Sequence, residues 1–357
     1  MDANKIPKMN LDRDYMLTQP YNPTHNANTM TKVSVIVPVY GVEKYIEKCA
    51  RSLFEQTMKE GVEFIFVDDC TPDNSISVLK NVLSEYPNRI KQSKIIRHKT
   101  NRGLAASRNT GFSHAIGTYI LNVDSDDWLE SNTLQLLYDK AIKTNSDVVV
   151  CNFIAIFKDK AKTYEQRIPE SPMEFFIKML RGEIKYSACN KLIRKTLLID
   201  NRIQWIDGLN MGEDMSVIPR VVFHANKISH IQLPLYNYNQ LNEDSYTHIW
   251  GKKAIENVVL ANKIIIDFIE KQGLSEELSE HIKLFKQNNT YEIISHSPLR
   301  EFKQNILLIE KPQIKNILKA SYPSYVKVAY SLYVLNLPSL GKSVLNIVKT
   351  IKKIIGY

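Results

Sequence analysis

Long apolar runs are missing from this sequence. Nowhere do about 18 apolar residues follow one another, so no membrane-spanning helix is expected. Cysteine is scarce and scattered: Cys49, Cys70, Cys151 and Cys189 form no C-x-x-C pair. That argues against a zinc site or a disulfide framework and fits a reducing compartment. No G-x-G-x-x-G follows the first apolar run, where Pro38-Val-Tyr-Gly41 stands instead, and no G-x-x-x-x-G-K-[ST] occurs. These absences count against a dinucleotide-dependent oxidoreductase and a P-loop kinase. Internal repeats are absent too. Residues 1–30 show no cationic flank followed by an apolar segment, so no secretory signal is expected there. Polar and broken by Pro7, Pro20 and Pro23, this stretch reads as a flexible extension reaching residue 32.

What is present is ordinary for a globular protein. The 357 residues are 44% hydrophobic and 24% charged, enough to bury a sizeable core. A net charge of +9 comes from scattered lysines and arginines without a nucleic-acid-binding motif. No nucleic-acid partner is expected. Phosphate-bearing substrates or an anionic membrane surface explain a basic balance equally well.

From residue 33 short β-type runs alternate with helical periodicity. Residues 33–37, 63–67, 94–97, 119–123 and 147–153 read as strands, and Pro38 is expected to end the first. Helices are expected near residues 46–54, 75–83, 103–115, 172–181 and 212–224, and residues 189–199 form another short segment. The sequence thus predicts an α/β fold: a mostly parallel sheet flanked by helices over residues 33–250. Helices at 252–271, 275–296 and 299–309, followed by a basic tail, make a helical C-terminal region over residues 251–357. Ligands in such sheets bind beyond the carboxyl ends of the strands. Polar clusters follow three strands here: Val39-Tyr40, Asp68-Asp69 and Asp124-Ser-Asp-Asp127.

The last cluster carries the clearest chemistry. Asp124 and Asp126, separated by Ser125 at a strand end, put two hard carboxylates near one point. That suits Mg²⁺ or Mn²⁺ held jointly with phosphates, since such ions take only one or two protein carboxylates. A D-x-D alone also serves turns and helix caps.

Its context is more specific. VSVIVPVY (33–40), VDDCTPDNS (67–75), NRGLAASRNTG (101–111) and GTYILNV (117–123) precede DSDD in fixed order, and Trp128 follows. This succession resembles the family-2 glycosyltransferases of the GT-A fold, over roughly residues 33–245. The resemblance implies an inverting transferase that moves a sugar from a UDP-sugar donor to an acceptor hydroxyl in surface polysaccharide or glycan assembly. Pro38, Val39 and Tyr40 would line the base pocket. Asp68 would accept a hydrogen bond from the uracil ring, with Asp69 beside it, and Arg102 would meet the base or phosphates. Asp124, next to Ser125, would face the ribose or sugar, and Asp126 would hold the metal. Asp127 is expected to cap the next helix, and Arg108 to pair with a surface carboxylate. In SACNKL (187–192), Asn190 or Lys191 would meet the donor diphosphate or the acceptor. YNYNQLNEDS (236–245) resembles the family's terminal active-site loop, and His248 beyond it fits a structural place or one near the metal. Two turn positions depart from the family: Gly41 stands where Asn is frequent, and Cys70-Thr71 replaces Gly-Ser.

An acceptor hydroxyl must lose its proton as the new bond forms, and a carboxylate within reach serves as base. Glu213-Asp214 matches the family's acidic pair at a helix start, with Asp214 as the base. Acidic residues in a first helical turn are also favoured by the helix dipole. The rival to an enzyme is a nucleotide-sugar-binding or scaffold protein that kept this fold without turnover.

The tail is two-sided. Val344, Leu345, Ile347, Val348, Ile351, Ile354 and Ile355 share one helical face, Lys342, Lys349 and Lys353 lie opposite, and Lys352 borders them. Residues 342–355 therefore suit an anionic membrane interface, a dock on the protein's own core or a contact between copies. A lipid-linked acceptor would accord with the first. The expected location is the cytoplasm, with peripheral contact at the inner membrane face.

Overall fold

The computed structural model describes residues 30–242, 250–296, 309, 313–319 and 323–354. The N-terminal extension as far as residue 29, His248, the expected helix from 299 to 308 and the side chains of Lys349, Lys352, Lys353, Ile354 and Ile355 lie outside the described residues.

Strands β1 (Val33–Val39), β2 (Val62–Asp68), β3 (Ser93–Arg97) and β4 (Tyr119–Asn122) run parallel in the order β3-β2-β1-β4. All seven residues of β1 and of β2 are buried. These runs are mostly apolar because helices cover both faces of the sheet, and the buried Ser34 and Glu63 satisfy each other by a hydrogen bond at 2.6 Å. Side-chain alternation divides them. Val33, Val35, Val37 and Val39 join one core with α1 (Ile46–Phe54) and α2 (Ser75–Ser84). Ile36, Ile65 and Val67 join the opposite core. That second core is filled by α4 (Leu104–His114), α6 (Pro172–Leu180), α7 (Lys195–Asp200), α8 (Glu213–His224) and α9 (Lys252–Lys271), while α5 (Thr133–Thr144) joins the first core and the short α3 (Pro87–Ile90) precedes β3.

β1 continues through Pro38 to Val39, two residues further than expected. The Val39 carbonyl accepts from Asp69 N on the β2 side, so by alternation the missing N–H of Pro38 points toward β4. The β1–β4 register ends at Ile36 opposite Asn122, so the proline removes no ladder bond.

Beyond β4 the sheet changes direction. β8 (Lys191–Arg194) lies antiparallel between β4 and β6 (Val148–Ile156), β9 (Ile228–Asn239) runs parallel to β6, and the short β5 (Trp128–Leu129) pairs antiparallel with β9. β7 (Ala161–Tyr164) forms an antiparallel ladder on β6. Pro234 is tolerated inside β9 because the β6–β9 register shifts on both sides of Asn152, its partner.

The helical C-terminal region begins by packing on the sheet. Ile255, Val258, Ala261, Ile265 and Ile269 of α9, with Phe285 and Ile293 of α10 (Ser279–His296), belong to the cluster that covers the sheet. The helices Ser324–Val334 and Pro338–Ile354 enclose a separate small cluster of Ala329, Tyr330, Tyr333 and Leu345.

Packing of α4 on β1 is tightest at Gly111, where an added Cβ would fall 2.3 Å from Ile36 Cγ2. Gly111→Ala gains about 1 kcal/mol of helix propensity. Overpacking costs typically about 1–3 kcal/mol or more. A net loss of stability in chemical denaturation is the expected result, and a gain would show that α4 moves freely on β1.

Candidate active site

β1, β2 and β4 end side by side, so the segments that follow them share one rim of the sheet. Asp68 at the end of β2 is buried, accepts from Thr71 N at 2.9 Å and faces Arg97 Nε at 3.3 Å. Asp69 uses both oxygens. One accepts from Arg102 N at 2.8 Å and meets His98 Nδ1 at 2.7 Å; the other accepts from Gly103 N at 2.7 Å. Asp69 therefore fixes the turn of residues 101–103, and Thr110 Oγ1 on α4 holds His98 from behind at 2.8 Å. The two departures from the family pattern touch. Cys70 takes a left-handed conformation at φ 57°, and the Thr71 hydroxyl accepts from Gly41 N at 2.9 Å. The guanidinium of Arg102 turns outward to Asp207 at 2.7 Å.

Arg108 does not pair at the surface. Its side chain is 1% exposed, and it joins three carboxylates: Asp124 at 3.0 Å, Glu213 at 3.0 Å and Asp214 at 2.7 Å. The α4 face that carries it looks into the sheet rim, and the acidic start of α8 closes over it. Asp214 is held at its other oxygen by Ala188 N at 2.7 Å. Burial and neighbouring Asp214 push the Glu213 carboxyl up.

Within DSDD the four residues separate. Asp124 and Asp126 line a cleft with Ser125, and Asp126 accepts from Asn242 Nδ2 at 2.8 Å. Burial and the charge of Asp124 raise Asp126 to about 6. Asp127 caps no helix. β5 follows it, and its carboxylate accepts from the Tyr236 hydroxyl and from Asn239 N, tying the loop to β9. Lys191 is fully buried and lies behind the cleft wall, where its ammonium donates to Ser187 O at 2.6 Å and Asn190 Oδ1 at 2.9 Å. Burial lowers it to about 8. Asn190 in turn donates to Cys151 O at 2.7 Å.

The cleft has a volume of about 680 Å³. Pro38, Val39, Tyr40 and Asp69 line one part, Asp124 to Asp126 another, and Glu213 with Asp214 a third. Residues 33–126 and 212–214 thus meet across a single cavity. Asp68, Arg102 and Lys191 support its walls from outside.

Residues 34–200 match the family described as Glycosyl transferase family 2. The putative glycosyltransferase EpsH of Bacillus subtilis is 32% identical over 260 residues, spanning 71% of this chain and 73% of that one. The chain belongs to glycosyl transferase family 2. Poly(ribitol-phosphate) beta-N-acetylglucosaminyltransferase TarS of Staphylococcus aureus is 30% identical over 272 residues, 72% of this chain and 46% of TarS. The crystal structure of TarS 1-349 in complex with UDP-GlcNAc overlays with a TM-score of 0.56 at 19% identity, over 89% of this chain and 92% of that one. That likeness shows the GT-A fold.

This family-2 glycosyltransferase carries site residues beyond those read from its motifs. Arg108 stood inside the quoted 101–111 segment, yet its role depends on partners 16, 105 and 106 positions away. Ser107 Oγ, Arg108 Nε and Asn210 Oδ1 are buried without a hydrogen-bond partner among the described residues, and all three residues line the cleft. Asn210 packs so closely on Gly103 that a Cβ there would meet its amide at 2.4 Å. Ser107 lies in the same 101–111 segment with no role read for it there, and no sequence signal marked Asn210.

Proposed function

We propose that this glycosyltransferase moves a sugar from a UDP-sugar to a hydroxyl of a glycan or lipid-linked acceptor, with inversion, at the cytoplasmic face of the membrane. One observation carries the reading: Asp214, fixed at both oxygens, shares a cleft with the Asp124–Asp126 pair and with three buried polar groups that have no partner among the described residues. Such groups call for a polar ligand. The solved UDP-GlcNAc complex of TarS supports a uridine donor.

In this reading Asp214 removes the proton from the acceptor oxygen as that oxygen bonds to the anomeric carbon. The bond from that carbon to the diphosphate breaks, and UDP departs with its electron pair. Attack opposite the leaving group inverts the centre. Glu213 stays beside the base, and Arg108 fixes both carboxylates. Pro38, Val39 and Tyr40 form the base pocket, while Asp68, Asp69 and Arg102 shape the loops around it.

The donor set fits Mg²⁺ or Mn²⁺. Asp124 and Asp126 offer hard carboxylate oxygens on one cleft wall. No group of three His, Cys, Asp or Glu could hold an ion among the described residues. An ion bound jointly with phosphate needs only the pair. When bound, it neutralises charge on the departing diphosphate.

A thermal-shift screen of nucleotide sugars, with and without Mn²⁺, tests the reading. Ligand at about 100 times its Kd adds about 2.7 kcal/mol of stability. UDP-sugars should stabilise most, more so with Mn²⁺, and release UDP. Asp126→Ala should lose the Mn²⁺ increment while keeping its fold. Stabilisation by guanine or adenine nucleotide sugars alone would sink the uridine assignment.

A further inference from the structure

Every charged residue after Glu310 is a lysine. This final stretch holds Lys311, Lys315, Lys319, Lys327 and four more from Lys342 onward, and so supplies almost all of the net charge of +9. The basic balance of the chain is therefore segregated at its end, contrary to the scattered distribution expected from the sequence.

The same stretch exposes apolar side chains in a pattern. On the helix Pro338–Ile354, Gly341 and Leu345 face inward. Gly341 lies so close to the preceding helix that a Cβ would meet Ala329 O at 2.8 Å. That contact fixes which side of the helix is covered. Leu340, Ile347 and Ile351, spaced by seven and four residues, form a stripe on the uncovered side. Leu335 and Leu337 flank Asn336 at the turn before it, and these five side chains are between 45% and 58% exposed. Self-docking thus covers only part of the apolar face. No helix among the described residues is long and apolar enough to cross a membrane.

We infer that the turn at residues 335–337 and the Leu340–Ile347–Ile351 stripe form a membrane-docking surface that lies in the interface of an anionic lipid leaflet. The apolar stripe enters the headgroup–acyl boundary while the net positive charge of the stretch is attracted to the lipid phosphates. Each lysine near such a surface contributes about fivefold in partition. Charge selects this occupant over a second copy of the chain, because a stretch whose eight charged residues are all lysines is drawn to an anionic surface and repels a second copy of itself. The inference stands apart from the chemistry proposed above, since partition onto lipid needs no donor.

Vesicle co-sedimentation tests it with the full chain. Phosphatidylcholine vesicles containing phosphatidylglycerol should pellet the protein, pure phosphatidylcholine much less, and added salt should weaken the binding. The triple variant Leu340→Ser, Ile347→Ser, Ile351→Ser should lose about tenfold or more in partition with unchanged thermal melting. Lys342→Gln with Lys353→Gln should weaken binding only to the anionic vesicles. Failure to pellet with either vesicle, or pelleting untouched by the serine variant, overturns the inference. So does a wild-type dimer that the serine variant converts to monomer without any lipid binding.

Discussion

Arg108→Met is expected to lower stability by about 3–5 kcal/mol, the cost typical of breaking a buried ion pair from one side. Domains of this kind have only about 5–15 kcal/mol in total. Methionine fills much of the arginine's volume, so the loss comes from charge. Three carboxylates from two distant segments, Asp124, Glu213 and Asp214, would face one another without the guanidinium between them. Glu213 is already pushed up by burial and Asp214, and it would titrate higher still. A carboxyl whose folded pKa lies above its unfolded value adds stability at low pH that is lost as pH rises through the folded pKa. The deficit of the variant should therefore widen as pH rises above about 8, where Glu213 ionises in the wild type but not yet in the variant, in urea denaturation. Arg108→Lys keeps a charge but not the fork that reaches all three oxygens, and should fall between. A deficit that is small and flat with pH would mean that the carboxylates find water instead of one another.

Which parts were legible follows from where each segment sits. β1, β2 and β4 are buried on both faces, so their apolar runs declared themselves without any tertiary knowledge. β9 alternates polar and apolar residues and contains Pro234, and β5 is two residues long; such strands exist because the sheet beside them exists. The same distinction governs the site. That Asp124, Asp126 and Asp214 would line one cleft was legible because ordered motifs surround them. Asp127 was placed at a helix start because local chemistry favours that, yet tertiary structure gave its oxygens to Tyr236 and Asn239. Arg108 was assigned to the surface because its partners arrive only when α8 docks on α4. Lys191 shows the limit from the other side: a cation in a promising motif turns into the wall, where it braces Ser187 beside the Ala188 amide that holds Asp214.

That bracing makes Asp214 the residue whose loss should affect turnover most. General-base assistance contributes typically about 10²–10⁴-fold. Asp214→Asn is expected to lower kcat for transfer or donor hydrolysis within that range while donor affinity holds. An amide cannot accept from both Arg108 and Ala188 N, so some local loosening follows, and Glu213→Gln serves as the comparison because Glu213 has a single arginine bond. A nucleophile that carries no proton separates the two effects. Azide is ionised at neutral pH and needs no base, so Asp214→Asn should still form the glycosyl azide, with inverted configuration, while failing with water or alcohols. If azide restores nothing in a variant that still binds donor, Asp214 positions substrate instead of accepting the proton. A fall in donor affinity equal to the fall in rate would lead to the same conclusion.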